Sequence, residues 1–210
     1  FLISQEVEAK GNAALLIIDQ ELFTFENRAS QEILSNALYE AFFDTLRTKQ
    51  KTGYIASSQA LAIEARLFQS FLVQSNSHQP EDLLYRFELF LETFNEEIQT
   101  NIPEERFEMI RASMIHSLQT RFRNLREKMA LWNLLAFEEK ANFAFIEERL
   151  QALRTLSYDR FLTLSKQSLD RKNRKRLAVL CEGKLTHPFT YELIAPEQVP
   201  SIAGYSARMD

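Results

Sequence analysis

The chain has almost no cysteine: Cys181 is the single one in 210 residues. An internal disulfide is therefore excluded, and the redox compartment stays open. Histidine is nearly as sparse. His78, His116 and His187 lie far apart, and no two are spaced four apart as a helical zinc site requires. No apolar run approaches the ~18 residues a membrane span needs, and no signal-peptide pattern appears. Positive charge is not in excess either. Lys and Arg number 25 against 29 Asp and Glu, a net charge of −4, which argues against a general polyanion binder. Glycine and proline are few, 4 and 5, so each one that does occur is informative punctuation. With 45% apolar and 26% charged residues, the composition is that of a globular chain of one domain, at most two.

What is present divides into a strand-rich first third and a helical remainder. Residues 2–8 alternate, Gly11-Asn12 punctuates, and AALLII (13–18) is a continuous apolar run that predicts a strand buried on both faces. Residues 31–46 switch to helical spacing through Leu34, Leu38 and Phe42, with Asn27 or Ser30 as N-cap. Gly53 ends that region, and extended stretches follow at 54–62 and 64–74.

Pro80 and Pro103, each followed by acidic residues, open two helices. Their apolar stripes read Leu83, Phe87, Phe90, Phe94, Ile98 and Phe107, Ile110, Met114, Leu118. Further stripes are Phe122, Leu125, Met129, Trp132, Ala136 and Phe143, Ile146, Leu150, Leu153, each expected to be buried. A shorter helix at 158–169 leads to a last strand, LAVLC, 177–181. This order predicts an α+β fold, a two-layer sandwich with a sheet of about five strands and helices packed on one face. Residues 1–183 are assigned to that domain. Residues 184–210, with Pro188, Pro196, Pro200 and Gly204, are assigned to a C-terminal arm or tail. The first residues, FLISQEV, read as the middle of a strand, and the expectation is a piece of a longer protein.

Several candidate chemistries reduce to plainer readings. HQPED (78–82) comes within one residue of the zinc motif H-x-x-E-H, but Asp82 replaces the second histidine and Pro80 leaves His78 outside the helix. N-terminal capping accounts for it. Cys181 on an apolar strand reads as a buried, inert thiol. RKNRKR (171–176) reads as a solvated turn, because a nucleic-acid contact would need neighbouring aromatics and a basic face.

One stretch resists the plain reading. In FFDTLRTKQKTGYI (42–55), Arg47, Lys49 and Lys51 stand beside a Thr-Gly-Tyr turn between two apolar segments. Arg47 and Tyr54 are both hydrogen-bond donors suited to a carbonyl or carboxylate. An arginine near a helix C-terminus is also favoured by the dipole alone. Gly53 is expected to free the backbone to aim Tyr54 into a cleft.

The pattern F-x-x-L-R-T-x-x-x-x-G-Y, carried by Phe43, Leu46, Arg47, Thr48, Gly53 and Tyr54, resembles a signature in the C-terminal half of the insulinase (pitrilysin-like) family of zinc metallopeptidases. LFQSFLVQSNSHQP (67–80) resembles the strand and turn that follow in that family, and PEERFEMI and LSYDRFLTL resemble its later helices. The likeness covers residues 12–183 and is most specific over 43–80. Lys51-Thr52 departs from the usual Gln-Leu.

The resemblance implies four related α+β domains closing as two halves around a chamber. Zinc and its general base belong to the first domain, so this sequence is expected to hold no catalytic residue and no metal ligand, and to be inactive alone. Arg47 and Tyr54 are implied to bind substrate, orienting the scissile peptide and stabilising charge on its carbonyl oxygen. The partners implied are the other domains of the same chain and a peptide substrate, with no nucleic acid and no membrane. Function is thereby expected to be that of the C-terminal, non-zinc domain of a zinc metalloendopeptidase. The alternative is a degenerate, non-catalytic homologue acting as a peptide-binding or scaffold domain. Localisation is open, a periplasmic one being favoured only by the pitrilysin likeness.

Overall fold

The alternating first third resolves into a mixed five-stranded sheet in a computed structural model that describes residues 1–120 and 124–188. The strands are β1 (Leu2–Lys10), β2 (Asn12–Leu22), β3 (Ile55–Ile63), β4 (Arg66–Ser75) and β5 (Arg176–Lys184), in the order β1-β5-β2-β4-β3. β1 runs parallel to β5, and the other neighbours are antiparallel. Register sets one face. Ala14 lies between Val73 and Leu180, and Leu16 between Phe71 and Ala178, all buried. One residue on, Leu15 lies between Leu72 and Val179, all only half-buried. The run 13–18 is thus covered fully on one face, not both, because the helices pack on one side.

Helix α1 (Phe25–Phe43) starts earlier than its periodicity implies. Its N-cap is Thr24, whose hydroxyl accepts from the Asn27 N–H at 3.0 Å, and Ser30 is buried inside the helix. Phe25 leaves the strand alternation to pack its ring edge-on against Phe23 and Phe145, at 5.5 and 5.3 Å between centroids. The other helices are α2 (Pro80–Glu96), α3 (Ile98–Asn101), α4 (Glu104–Thr120), α5 (Leu125–Asn133), α6 (Phe145–Thr155) and α7 (Tyr158–Leu169). α1, α2 and α7 rest on the sheet, and α4 and α6 pack over α1. Phe42 is the hub, fully buried with the rings of Phe71, Phe87 and Phe90 at 5.2, 5.2 and 5.4 Å.

The stripe on α5 is not buried. Leu125 (74% exposed), Met129 and Trp132 (67%) face outward, as do Phe137 and Phe143 nearby. Periodicity places these side chains on one helix face correctly, yet α5 packs chiefly against the π-turn after it (Leu134–Glu138) and not against the sheet. Phe122, assigned to the same stripe, lies outside the described residues. β5 runs one residue past the boundary expected at 183, and the Thr186 and His187 N–H groups donate to the Asn76 carbonyl. The rest of the expected arm, 189–210, lies outside the described residues.

Candidate functional site

At its C-terminal end α1 does not stop but widens. Asp44–Lys49 form a π-turn in which the Gln50 N–H reaches back five residues to the Thr45 carbonyl at 3.0 Å. Such turns put one extra residue into a helix and recur at functional sites. Thr52, fully buried, closes the turn: its N–H and its hydroxyl both donate to the Leu46 carbonyl, at 2.9 and 2.7 Å. Between them Lys51 takes a left-handed φ of 51°, which lets the chain double back toward β3. Buried Leu46 anchors the turn from below.

The outer surface of this joint carries Arg47 and Tyr54 together. The Arg47 guanidinium lies 4.8 Å from the centroid of the Phe43 ring and 4.8 Å from that of Tyr54. A guanidinium held on aromatic faces loses little hydration and keeps its in-plane N–H donors available. Tyr54 is 81% exposed. Lys49 is ion-paired with Asp44 at 2.9 Å, so the three cations do not form one continuous basic wall.

Gly53 is needed for a different reason from the one its sequence context suggests. Its φ is not in the left-handed region. Instead a Cβ at this position would sit 2.0 Å from the Gln74 carbonyl oxygen of β4. The glycine allows backbone to touch backbone where the joint enters the sheet. Gly53→Ala is expected to cost about 1–3 kcal/mol, the range of an overpacked site, read as a lower urea midpoint at unchanged m-value. An unchanged midpoint would show that the joint yields without cost.

Beneath the joint lies a buried polar group that the sequence reading missed. Arg86, on α2, is 1% exposed. Its Nε donates to Asp82 Oδ2 at 2.9 Å and its Nη1 to Gln50 Oε1 at 2.9 Å. His78 is also buried, and its Nδ1 meets the Ser77 hydroxyl at 2.8 Å. Burial, and then the neighbouring Arg86 charge, lower the His78 pKa, so its ring stays neutral at pH 7. The available signal was the i, i+4 spacing of Asp82 and Arg86, which sets the two one turn apart on one face of α2. Capping chemistry at the helix start masked it.

Asp82 is paired with Arg86, and His78 Nδ1 meets the Ser77 hydroxyl. Among the described residues no group of three or more His, Cys, Asp or Glu is placed to hold a metal ion. The described residues do not fit zinc. Cys181 is only half-buried, on the open face of the sheet beside Gln5 and Ala13, a correction to the buried reading. In the basic run, Arg171, Lys175 and Arg176 pair with Glu92, Glu21 and Glu88. Among the described residues no helix is long and apolar enough to cross a membrane.

The fold has counterparts among known proteins. The fold resembles that of pitrilysin, with a TM-score of 0.70 at 20% identity over 93% of this chain and 21% of that one. It also resembles an M16 peptidase inactive domain from Pseudomonas fluorescens, with a TM-score of 0.66 at 12% identity over 91% of this chain and 45% of that one. In sequence, the A-factor-processing enzyme of Saccharomyces cerevisiae is 24% identical over 157 residues, which are 75% of this chain and 15% of the yeast protein.

The fold so defined is similar to the α+β domains of M16 peptidases. More narrowly, the family model described as PQQ synthase PqqF-like, C-terminal lobe domain 4 matches residues 33–132, a span that contains both the joint and the polar group beneath it. Family model, relative and fold agree with the resemblance read in the motif, and they support an insulinase-type, M16 C-terminal-lobe domain. The chain spans about a fifth or less of the length of the yeast protein and of pitrilysin.

Proposed function

We propose that this chain is the C-terminal, non-zinc domain of a pitrilysin-like zinc metalloendopeptidase, closing its substrate chamber and gripping the peptide through Arg47 and Tyr54. The observation that carries the reading is the pairing of half-buried Arg47 with the exposed Tyr54 ring, guanidinium to ring centroid 4.8 Å, on a joint built by a π-turn. A fold needs no such pairing on its outer surface. Two donors fixed side by side suit a peptide carbonyl on which charge develops. Zinc and the general base would come from another domain of the same protein, and this domain's residues orient the substrate.

The test compares the 210-residue chain with the full-length protein that carries it. Alone, the chain is expected to bind no zinc stoichiometrically and to cleave no peptide. The full-length protein is expected to cleave peptides, to lose that activity to a chelator and to regain it with zinc. Tight metal binding by the chain alone, abolished by His78→Ala, would overturn the assignment of zinc elsewhere.

A second reading has its own support. The structural likeness to an M16 domain described as inactive favours a degenerate homologue that binds peptides or scaffolds its partner domain without cleaving. An H-x-x-E-H motif in the remainder of the full-length protein, with chelator-sensitive activity, decides for the first reading. Peptide binding without either decides for the second.

A further inference from the structure

We infer that Gln50, Asp82 and Arg86 form a positioning network that holds the joint in the one geometry in which Arg47 and Tyr54 act together. The inference rests on the reading of those two residues as substrate contacts, and it names what sets their arrangement. Arg47 and Tyr54 flank a six-residue span, and the network grips that span at an interior point: Arg86 Nη1 donates to the Gln50 side chain at 2.9 Å. The grip comes from α2, which the core fixes through fully buried Leu83 and Phe87. The joint is thereby referred to the rigid body of the domain, not left to its own loop conformation.

The network is built at a cost that packing alone does not explain. Arg86 is among the largest fully buried side chains of the chain. A buried ion pair is commonly no more stabilising than apolar residues of the same volume. This one is not even complete, since Asp82 Oδ1 and Arg86 Nη2 are buried without a hydrogen-bond partner among the described residues. A half-satisfied polar network is a poor way to stabilise a core. It is an effective way to fix a backbone, because the planar guanidinium presents donors at set angles to Asp82 on its own helix and to Gln50 on the joint. Asp82 thus acts on the joint through Arg86 and is a positioning residue, not a ligand.

The test separates fixing from stabilising. Asp82→Leu combined with Arg86→Met removes both charges and keeps the apolar volume. The double variant is expected to unfold at or above the parental temperature. Amide hydrogen exchange across 47–54 should nevertheless speed up at least tenfold in the 210-residue chain. In the full-length protein kcat should fall about tenfold, with KM changed much less. Arg86→Lys should fail to restore slow exchange, having no second donor in the plane.

Gln50→Ala, at a half-buried position, provides the same exchange readout if the double variant does not fold. Unchanged exchange across 47–54 in a folded variant overturns the network. If exchange accelerates while turnover holds, and Tyr54→Phe also leaves turnover intact, the network stands as the holder of the joint and it is the substrate-contact reading that fails.

Discussion

Tyr54→Phe in the full-length protein is expected to lower kcat on the order of 10²-fold while leaving the melting temperature unchanged. The hydroxyl belongs to a side chain that is 81% exposed, so its loss leaves no buried group unpaired. The ring remains, and with it the face on which the Arg47 guanidinium rests at 4.8 Å. The substitution therefore removes one donor and little else. If that donor meets the carbonyl oxygen as charge builds, the loss falls in the range seen for an oxyanion-hole donor.

A donor used only to hold the ground-state substrate would instead raise KM and spare kcat. Arg47→Ala should cost at least as much, because it also unseats Tyr54. Arg47→Lys should rescue poorly, since a point charge on a flexible stem does not reproduce the planar fork. Paired kinetics and thermal melts on the same preparations check all three. Full turnover in both Tyr54→Phe and Arg47→Ala would remove the joint from the substrate path.

The second large effect is on stability. Phe42→Ala in the 210-residue chain is expected to cost about 3–5 kcal/mol, the range of a buried Phe truncation. Phe42 is where α1, β4 and α2 meet, its ring in contact with those of Phe71, Phe87 and Phe90. The cavity would be walled by rings that cannot collapse without shifting a strand and a helix together. For a domain of this size the loss corresponds to a fall of roughly 6–20 °C in melting temperature. Circular dichroism during heating measures it. A fall of under 2 °C would mean that the aromatic hub repacks and that the core is organised elsewhere.

How far the residues alone foretold this molecule depends on the kind of signal each feature leaves. Strands were legible because alternation and the 13–18 run are local patterns. The parallel pairing of β1 with β5 brings Leu2 beside Ala178, and no local pattern encodes a partner so distant in sequence. Helix faces were legible, but not what covers them. The Leu125, Met129 and Trp132 stripe lies on one face of α5 as its spacing requires and yet is open.

At the joint, Arg47 and Tyr54 were visible only through the family motif, since donor chemistry alone left a helix-end arginine as the simpler account. Gly53 stood out by its rarity, but the reason for it, the approach to the carbonyl of Gln74, belongs to a residue 21 positions further on. The pair of Asp82 and Arg86 left an i, i+4 trace that capping composition concealed. The π-turn left none, because the residues of 44–49 fit an ordinary helical period as well.

That π-turn has a meaning in terms of descent. A helix acquires one by admitting a single extra residue without unwinding, so residue counting across the joint runs one ahead of helical phase. Each residue of an ordinary helix turns the chain by about 100°. Removing one position between 44 and 49 would restore a regular helix and swing everything after it by that angle. Relatives lacking the insertion would then present a different side chain at the place Arg47 occupies, even where an arginine aligns with it. Among such proteins, a gap of one residue at the end of α1 is the mark to look for.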